Sequence, residues 1–365
     1  MIRILQMVAC ISSGGMETVI MNYYKNIDRS KIQFDFLVRL PESSSDFYND
    51  EILKLGGRIY RIPYTSIWDK ILYPIRIFLF LKRHKEYKIV HSHMDIMSVF
   101  YLFIAKLANI PVRISHSHNT SYDDNWKKYF KIILKPWISY VVTDKMSCGS
   151  EAAIWLYGDI NNVLVLNNAI DTERFCFNPI SRQTYRSLMG LDDKFVVGHV
   201  GHFMEQKNHD FLIRIFSEIR KLKENAVLLL VGSGGLETKI RDLVRKENIE
   251  DSVIFAGTTK EIEKYYLCMD IFVFPSFFEG MSVALIEAQC SGLRCFVSEN
   301  VPREINITGL VTFISLKEQP RYWADSVLEN ISYNRKDMSD ALDKKGFSIK
   351  SNSKILQNFY LDHSL

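Results

Sequence analysis

Short runs of apolar, β-branched residues alternate along this chain with longer segments that have helical spacing. Two of the runs, residues 227–231 and 271–275, are almost continuously apolar, which is typical of strands buried on both faces of a parallel sheet. Amphipathic segments such as residues 210–223 and 236–247 lie between them. The pattern therefore predicts an α/β fold in which helices cover both faces of parallel sheets.

The alternation predicts two Rossmann-like domains, because it restarts near residue 195 after a polar stretch. The predicted strands are residues 2–7, 34–38, 58–62, 89–91, 112–115, 145–148, 163–166, 195–200, 227–231, 253–256, 271–275 and 295–298. We place the first domain at 1–175 and the second at 176–344, and we expect a C-terminal helix at about 345–365 to pack back on the first. Parallel sheets facing each other across a cleft would bind ligands at their strand carboxyl ends.

The composition is that of an ordinary globular protein, with 47% hydrophobic and 24% charged residues in 365, which excludes disordered and fibrous chains. Basic residues exceed acidic ones by only four, so a nucleic-acid partner is not expected. The surplus is uneven. Residues 1–175 hold 22 basic and 17 acidic residues, whereas residues 176–365 hold 24 and 25.

The chain shows no pattern of a signal peptide and no run of about 18 uncharged apolar residues that would span a bilayer. Its six cysteines have no CxxC or paired spacing, which indicates reduced thiols and no zinc site. We therefore expect a cytoplasmic location.

Two glycine motifs follow predicted strands. Gly14 and Gly15 lie between the first strand and a helical segment, where the backbone can approach an anion and a helix N-terminus supplies free N–H groups. A tight turn without a ligand is the alternative. Residues 232–235 repeat the arrangement on the second strand of the second domain, a position that argues against a nicotinamide site.

Residues 274–288 are the most informative segment. A buried strand is followed by a loop with Glu279 and Gly280, Ser282 is placed to cap the next helix, and Glu287 lies on its second turn. The two glutamates can then contact one ligand at opposite ends, with backbone N–H groups directed at an anion between them. A capped helix with two solvated glutamates is the alternative.

Residues 200–209 leave the first strand of the second domain and open a helix. Lys207 in this loop can reach a phosphate as a point charge. Taken alone, such a residue is more often a solvated surface lysine.

Together and in this order, the motifs resemble the GT4 family of retaining glycosyltransferases, which have the two-domain GT-B fold. The family pattern E-x7-E is matched by Glu279 and Glu287, and residues 167–171 with Phe175 resemble its junction sequence N-G-[IV]-D…F. The resemblance covers residues 1 to about 315.

Within the family, the chain is most similar to bacterial enzymes of capsule or exopolysaccharide assembly. Residues 206–213 and 274–276 carry that likeness. The resemblance implies a hexosyltransferase (EC 2.4) that moves a sugar from a nucleotide diphosphate, most commonly UDP, to a hydroxyl with retention of configuration. It implies no dedicated nucleophile, because the leaving phosphate helps deprotonate the attacking hydroxyl.

The resemblance also implies that the first domain is on the acceptor side and that the second binds the nucleotide-sugar donor, and it implies site residues. Glu287 would bind the ribose hydroxyls, Glu279 the transferred sugar, and Lys207 the departing diphosphate. The other donor-binding positions that it implies are Gly14, Gly15, His202, Gly257, Thr258, Gly280, Met281 and Ser282. There is no Asp-x-Asp sequence, so no metal or other cofactor is expected.

The family places a histidine at the end of a first-domain strand, against the donor sugar. His116 and His118 both qualify, because alternation along a strand puts them on one face. We prefer His118, since the family's histidine usually opens the loop. His91 and His93 at the previous strand end are candidates for the acceptor side, and a purely structural role is the alternative for each histidine.

The sequence departs from the family at two positions. His202 stands where the family usually has arginine, and Ala169 replaces the junction glycine. Arginine is always charged, whereas histidine is mostly neutral at pH 7, so diphosphate stabilisation would depend on Lys207 and helix dipoles. His202 also motivates one alternative, a nucleotide-sugar-binding pseudoenzyme or partner subunit. A second alternative is a nucleotide-sugar 2-epimerase on the same fold, which needs the same donor site but no acceptor face.

Two segments of the first domain bear on the acceptor. Residues 67–88 contain six basic and two acidic residues, and residues 126–142 contain four basic residues and no acidic ones. Both mix aromatic, aliphatic and basic residues, as helices lying on a membrane surface do, although Pro74 and Pro136 are expected to break them. A helix whose apolar face packs on the sheet is the alternative. A membrane location would place the protein on the inner leaflet with a polyprenyl-diphosphate-linked acceptor. Otherwise a glycan is expected.

Overall fold

The computed structural model describes residues 1–42, 46–64, 66–120 and 127–364, without the side chains of residues 127, 128, 130 and 131. Trp126 and part of the second predicted membrane segment therefore lie outside the described residues. The chain divides into two compact units, one formed by Met1–Ala169 with Ile349–Leu365 and the other by Ile170–Ser348.

The first unit is built on a seven-stranded parallel sheet in the order β3-β2-β1-β4-β5-β6-β7. Its strands are β1 (Ile2–Val8), β2 (Ile32–Val38), β3 (Ile59–Arg61), β4 (Tyr87–Ser92), β5 (Val112–Ser117), β6 (Asp144–Ser147) and β7 (Val163–Val165). The helices between them are α1 (Gly15–Asn26), α2 (Asn49–Lys54), α3 (Ile67–Arg83), α4 (Ser98–Leu107), α5 (Lys127–Leu134), α6 (Ile138–Val141) and α7 (Ser150–Tyr157).

The second unit repeats the same plan with a six-stranded parallel sheet in the order β10-β9-β8-β11-β12-β13. Its strands are β8 (Phe195–Val200), β9 (Ala226–Val231), β10 (Val253–Gly257), β11 (Ile271–Phe274), β12 (Arg294–Ser298) and β13 (Val311–Ile314). Its helices are α8 (Pro179–Leu188), α9 (His209–Leu222), α10 (Glu237–Lys246), α11 (Ile262–Cys268), α12 (Val283–Cys290), α13 (Pro320–Glu329) and α14 (Ser339–Lys344).

The last helix, α15 (Ile349–Asp362), belongs to the first unit, where it packs against α1. Its buried residues include Leu356 and Tyr360. The Gln357 side chain also accepts a hydrogen bond from the backbone N–H of Asp28, at 2.8 Å. Residues more than 300 positions apart in sequence therefore share one core.

Burial explains the strand pattern of the second unit. Every residue of β9 and β11 is buried, as their continuous apolar sequences predict, because helices cover both faces of a central parallel strand. On one face, α9, α10 and α13 share an apolar cluster with β8, β9 and β11. The two parallel α/β sheets predicted from the sequence are confirmed, while β13 was not predicted.

The helix α3 corrects the expectation that Pro74 breaks its segment, because it runs from Ile67 to Arg83 with Pro74 inside. An internal proline removes one helical hydrogen bond and crowds the preceding turn. Tyr73, Ile77 and Leu81 are buried on one face of the helix, and this burial offsets the cost. Pro136 does separate two helices, since it lies in a short 3₁₀ turn between α5 and α6.

The strand order reverses once in each sheet, which creates a topological switch point. In the first sheet the switch point lies between β1 and β4, and in the second it lies between β8 and β11. Loops that leave such a pair of strands diverge to opposite faces and form a crevice at the carboxyl ends. The predicted site residues follow these strands. No helix of the described residues is long and apolar enough to cross a bilayer.

Candidate active site

The crevice of the second unit contains an ion pair. Lys207 Nζ lies 2.8 Å from Glu279 Oε1, and only 14% and 7% of the two side chains are exposed. The ammonium also lies over the Phe274 ring, 4.6 Å from its centroid. Both charges have lost most of their water, and each stabilises the other across this contact. This excludes the alternative of solvated side chains for Lys207 and Glu279.

Polar side chains tie the two loops of the ion pair together. The Gln206 side chain donates from Nε2 to the Phe278 carbonyl at 2.9 Å, and the backbone carbonyl of Gln206 accepts the Phe277 N–H. Asn208, which adopts a left-handed φ of 53° ahead of α9, donates to the Pro275 carbonyl at 3.1 Å. The loops after β8 and β11 therefore form one cross-linked element that positions the ion pair.

The glycines of this crevice allow backbones to approach each other. A Cβ on Gly232, which has a φ of 142°, would lie 2.1 Å from the Gly201 carbonyl oxygen, and one on Gly234 would lie 2.5 Å from that of Phe203. A Cβ on Gly201 would lie 3.3 Å from the side chain of Lys207. The glycine turn after β9 is thus required for contact with the loop after β8, whatever ligand it binds.

His202 bonds to the backbone of that turn. Its Nδ1 lies 3.2 Å from the Ser233 carbonyl oxygen. A carbonyl only accepts, so Nδ1 carries a proton, and in the neutral ring Nε2 is then an acceptor. A neutral His202 therefore lacks the paired donors with which an arginine would bind phosphate.

Glu287 is buried in α12 and accepts a hydrogen bond from the Tyr266 hydroxyl at 2.9 Å. Burial raises the pKa of its carboxyl from 4.5 to about 7, against the opposing effects of the Tyr266 hydroxyl and the Arg174 charge. Arg174 itself forms a 2.6 Å ion pair with Glu263. A carboxyl that titrates near neutrality and lies beside a strand-end crevice is a candidate ligand-binding group.

The other predicted donor-site residues of this unit lie around the same strand ends. Ser282 occupies the N-cap position of α12, but its side chain makes no capping hydrogen bond, which corrects that expectation. Gly280 and Met281 are buried in the preceding loop. The Gly257 carbonyl accepts the N–H of Gly232 at 2.8 Å, and Thr258 beside it is exposed.

In the first unit, the glycine loop leads directly into α1, with Gly14 at the N-cap position. Glu17 folds back under it, buried, and its Oε1 accepts from the Cys10 thiol at 3.1 Å. Burial raises the pKa of the Glu17 carboxyl. Sequence analysis did not single out Glu17, although an acidic residue in the first turn of a helix was a visible signal.

The two glycines of this loop are not equivalent. A Cβ on Gly14 would lie 2.3 Å from Glu17 Oε2, whereas one on Gly15 would meet nothing within 4 Å. We expect Gly14→Ala to displace the buried carboxylate and to lower the unfolding free energy by about 1–2 kcal/mol. Gly15→Ala is the matched control and should leave it unchanged. Urea denaturation of both variants measures this, and equal stabilities would contradict the contact.

Four histidines occupy the ends of β4 and β5 in the first unit. His91 and His116 lie within these strands, and His93 and His118 follow them. The rings stack in pairs: His91 with His93, and His116 with His118, each with centroids 4.2 Å apart. Burial lowers the pKa of all four, that of His118 to about 3. All four are therefore neutral imidazoles near pH 7.

The backbone after β5 is held by Asp95. Its carboxylate accepts the His118 N–H at 2.8 Å and the Asn119 side-chain amide at 2.5 Å. Asp95 itself adopts a φ of 45°, in the left-handed region that aspartate tolerates better than most residues. His116 is fully buried, whereas His118 is partly exposed at the strand end.

Among the described residues, one group has the spacing of possible metal ligands. His91, His93 and His116 each bring one ring nitrogen within 4.8 Å of the others. Five of their six ring nitrogens already take part in hydrogen bonds to neighbouring side chains.

The predicted residues fall into two groups. The second unit brings Lys207 and Glu279 into direct contact and places Glu287 on the adjoining helix, and the first unit brings together the four histidines. The orienting roles of several neighbouring groups were not predicted, although Gln206 and Asn208 lie in a segment that carries the family likeness. These groups are Gln6, Asp95, Gln206, Asn208, Tyr266 and Tyr360.

Comparison with known families gives two matches that together span most of the chain. The pattern described as "Glycosyltransferase Family 4" matches residues 13–174. The pattern described as "Glycosyl transferases group 1" matches residues 194–332.

Three relatives align over most of the chain. The Bacillus subtilis protein EpsF, which is named as a glycosyltransferase, is 33% identical over 98% of this chain and 96% of its own. CapH of Staphylococcus aureus, a capsular polysaccharide biosynthesis glycosyltransferase, is 24% identical over the full length of both. An Escherichia coli UDP-Gal:α-D-GlcNAc-diphosphoundecaprenol α-1,3-galactosyltransferase is 24% identical over 78% of this chain and 76% of its own.

Solved structures match the fold over the whole chain. The crystal structure of Anabaena HepE in complex with UDP-glucose superposes with a TM-score of 0.81 and covers 99% of this chain and 100% of that one. The sequences are only 13% identical, so this likeness concerns the fold alone.

Proposed function

Because this chain belongs to glycosyltransferase family 4, we propose that it transfers a sugar from a UDP-sugar to a hydroxyl of a polyprenyl-diphosphate-linked glycan. The reaction retains the anomeric configuration and serves the assembly of a capsule or exopolysaccharide. Two relatives support these choices through their names, which specify a UDP-Gal donor with a diphosphoundecaprenol acceptor, and capsular polysaccharide biosynthesis.

The observation that carries the proposal is the buried ion pair between Lys207 and Glu279 at the β8–β11 switch point. The ammonium has three N–H donors, and Glu279 engages one of them. A diphosphate in the crevice can accept from the others and neutralise the charge that develops as the nucleotide leaves. Glu279 is then held beside the phosphate, where it can accept hydrogen bonds from hydroxyls of the attached sugar.

Glu287 suits the nucleoside end of the same ligand. Its buried carboxylate already accepts from Tyr266 on one oxygen, and a carboxylate has capacity for further donors. Two ribose hydroxyls are such donors. Gly257 and Thr258 lie at the end of β10, the edge strand next to β9. Backbone groups there would pair with the base. The partly exposed His118 at the end of β5 would form a hydrogen bond with a sugar hydroxyl.

The acceptor proposal rests on the outer surface of the first unit. The helix α3 buries Tyr73, Ile77 and Leu81, yet a second apolar stripe lies on its opposite face. This stripe consists of Trp68, Ile71, Leu72, Ile75 and Leu79, which are between 44% and 71% exposed. Their spacing of three and four residues places them on one side of a helix.

Neighbouring helices extend this surface. The helices α3, α4 and α6 pack side by side over one apolar cluster. The exposed apolar residues of α4, α6 and the segments beside them are Phe103, Leu107, Ile132, Ile133, Trp137 and Tyr140. Exposed Arg76, Lys82 and Arg83 flank the stripe of α3. Apolar and aromatic side chains rimmed by basic ones suit an anionic lipid surface, which supports a location on the inner face of the cytoplasmic membrane.

We expect the protein to bind vesicles that contain phosphatidylglycerol, and the binding to weaken as NaCl is raised. The double variant Trp68→Ser/Ile75→Ser should reduce the partition coefficient at least tenfold, because two inserted apolar side chains are lost. The matched control is Ile180→Ser/Leu188→Ser, which changes two exposed apolar residues of α8 in the second unit. Vesicle flotation measures the partition coefficients of the wild type and of both double variants. Absence of wild-type binding at low salt would contradict the proposal.

The donor is tested by incubating the protein with UDP-sugars and a polyprenyl-diphosphate-linked sugar, followed by chromatography of nucleotides and lipids. We expect UDP release that depends on the acceptor, together with an elongated lipid-linked product. Release of GDP from GDP-sugars alone would contradict the choice of UDP. Epimerised nucleotide sugar without transfer would instead support a 2-epimerase, and binding without turnover would support a pseudoenzyme.

A further inference from the structure

Six buried or partly buried side chains of the first unit form one unbroken line of hydrogen bonds, which we call the histidine chain. In spatial order its members are His116, His91, Tyr360, Gln6, His93 and His118. The successive contacts are His116 Nδ1 to His91 Nε2 at 3.2 Å, His91 Nδ1 to Tyr360 Oη at 2.6 Å, Tyr360 Oη to Gln6 Nε2 at 3.3 Å, Gln6 Oε1 to His93 Nε2 at 2.8 Å, and His93 Nδ1 to His118 Nε2 at 2.8 Å.

Neither end of the histidine chain has a hydrogen-bond partner among the described residues. These end atoms, His116 Nε2 and His118 Nδ1, are both buried. Buried polar atoms rarely lack a partner, and those that do often belong to a functional site. All members except His118 line a cavity whose other lining residues are mostly apolar, such as Ile20, Phe34 and Leu356. A low-dielectric setting strengthens each hydrogen bond and raises the cost of breaking one.

Each imidazole of the histidine chain is neutral, because burial lowers its pKa. It therefore has one N–H donor and one lone pair. Burial also raises the pKa of Tyr360, which keeps its phenolic proton. Under these conditions the direction of one hydrogen bond fixes the direction of the next.

The amide of Gln6 sets both directions. Its carbonyl oxygen only accepts, so His93 donates from Nε2–H and has a bare Nδ1. That bare nitrogen accepts from His118 Nε2–H, which leaves His118 Nδ1 as a lone pair.

On the other side, the Gln6 amide donates to the Tyr360 oxygen. The phenolic proton is then donated to His91 Nδ1, and His91 Nε2–H is donated to His116 Nδ1. His116 consequently carries its proton on Nε2. Reversal of the amide would reverse every bond, so the two ends always have opposite roles.

We propose that Gln6 and Tyr360 are positioning residues that lock all four histidines in the Nε2–H tautomer. His118 then presents a lone pair to a hydroxyl of the sugar substrate, and His116 presents an N–H. The lock follows from the hydrogen bonds of the first unit alone, whereas the substrate contact at His118 rests on the function proposed above.

Long-range ¹H–¹⁵N correlation spectra of protein labelled in its nine histidines test the lock without substrate. We expect His91, His93, His116 and His118 to have Nε2–H near pH 7.5, assigned by single substitutions. A spectrum in which some of the four have Nδ1–H and others Nε2–H would overturn the lock. Nδ1–H in all four would overturn the lone pair on His118.

Gln6→Glu gives a sharper test, because a carboxylate accepts from both neighbours. Tyr360 must then donate to the introduced carboxylate and accept from His91, which shifts His91 and His116 to Nδ1–H. His93 and His118 keep Nε2–H. A uniform tautomer in all four histidines of the folded variant would overturn the role of the amide.

Measurement of kcat/KM tests whether the tautomer of His118 matters for the substrate. His93→Phe keeps a ring in the stack but removes the acceptor of His118 Nε2–H, so we expect a mixed His118 tautomer and a fall of about tenfold in kcat/KM. The matched control is His363→Phe, which changes a partly exposed histidine that pairs with Asp144 and is not a member of the histidine chain; it should have wild-type kcat/KM. Wild-type kcat/KM in His93→Phe with a mixed His118 tautomer would overturn the substrate contact and leave the lock standing.

Discussion

Lys207→Met is expected to lower kcat for sugar transfer by about 100-fold. Methionine retains the length and apolar contacts of the lysine stem over Phe274 but removes the charge that would face the departing diphosphate. Loss of one such preorganised donor in a desolvated site typically costs 10²–10³ in rate. Initial rates of UDP release at saturating donor and acceptor measure the effect.

The same substitution leaves the Glu279 carboxylate buried without its counterion. Breaking a buried pair in this way destabilises a protein by about 3 kcal/mol, so the rate must be measured on folded protein, checked by circular dichroism. The double variant Lys207→Met/Glu279→Gln should regain most of this stability and none of the rate. Stability and catalysis are thereby separated.

Lys239→Met is the matched control, because Lys239 forms an ion pair with Asp210 at 2.8 Å but is half exposed. Its rate should stay within twofold of wild type, since solvent screens such pairs. A wild-type rate in folded Lys207→Met would remove Lys207 from the diphosphate site and, with it, the observation on which the donor proposal depends.

The architecture of the two sheets could be predicted because a short stretch of sequence identifies a buried parallel strand: it is a continuous apolar run between amphipathic segments. The strand β13, which pairs only with β12 at the sheet edge, was missed because Val311–Ile314 includes an exposed Thr312 and lacks that signal. The passage of α3 through Pro74 was missed for a different reason. Local propensity opposes a helix there, and tertiary burial decides the outcome.

The site was predictable only in its residue types. Glu279, Glu287 and Lys207 could be proposed from spacing and family resemblance, but their burial depends on which strands lie side by side. The partner of Glu287 is Tyr266, 21 positions away, and Gln6 meets Tyr360 across 354 positions. No local pattern encodes such contacts, so the groups that orient the predicted residues required the tertiary structure.

Glu287→Gln is expected to raise the donor KM by about 30-fold at pH 8 and to abolish its pH dependence. In the proposed donor site, the charged carboxylate is the form that would accept from two ribose hydroxyls, and hydrogen bonds to charged groups contribute about 1.5–3 kcal/mol each. Because burial raises the pKa of this carboxyl to about 7, only a minority of wild-type molecules carry the charge at pH 6. The wild-type donor KM should therefore fall about tenfold between pH 6 and pH 8.

The stability of the protein should change in the opposite direction. The folded-state pKa of Glu287 lies above its unfolded value of 4.5, so the folded chain binds more protons between these values and loses stability as the pH rises through that window. The loss is on the order of 3 kcal/mol, complete near pH 7 and absent in Glu287→Gln. Urea denaturation of both proteins from pH 4.5 to pH 8 measures the difference.

Tyr266→Phe provides the internal control for this assignment. The Tyr266 hydroxyl donates to the charged form of Glu287 and so opposes the effect of burial on its pKa. Its removal should move the midpoint of the donor KM profile to higher pH while the plateau at alkaline pH is retained. A wild-type midpoint in Tyr266→Phe, or a pH-independent KM in the wild type, would show that another group controls donor binding and would assign Glu287 a structural role in α12.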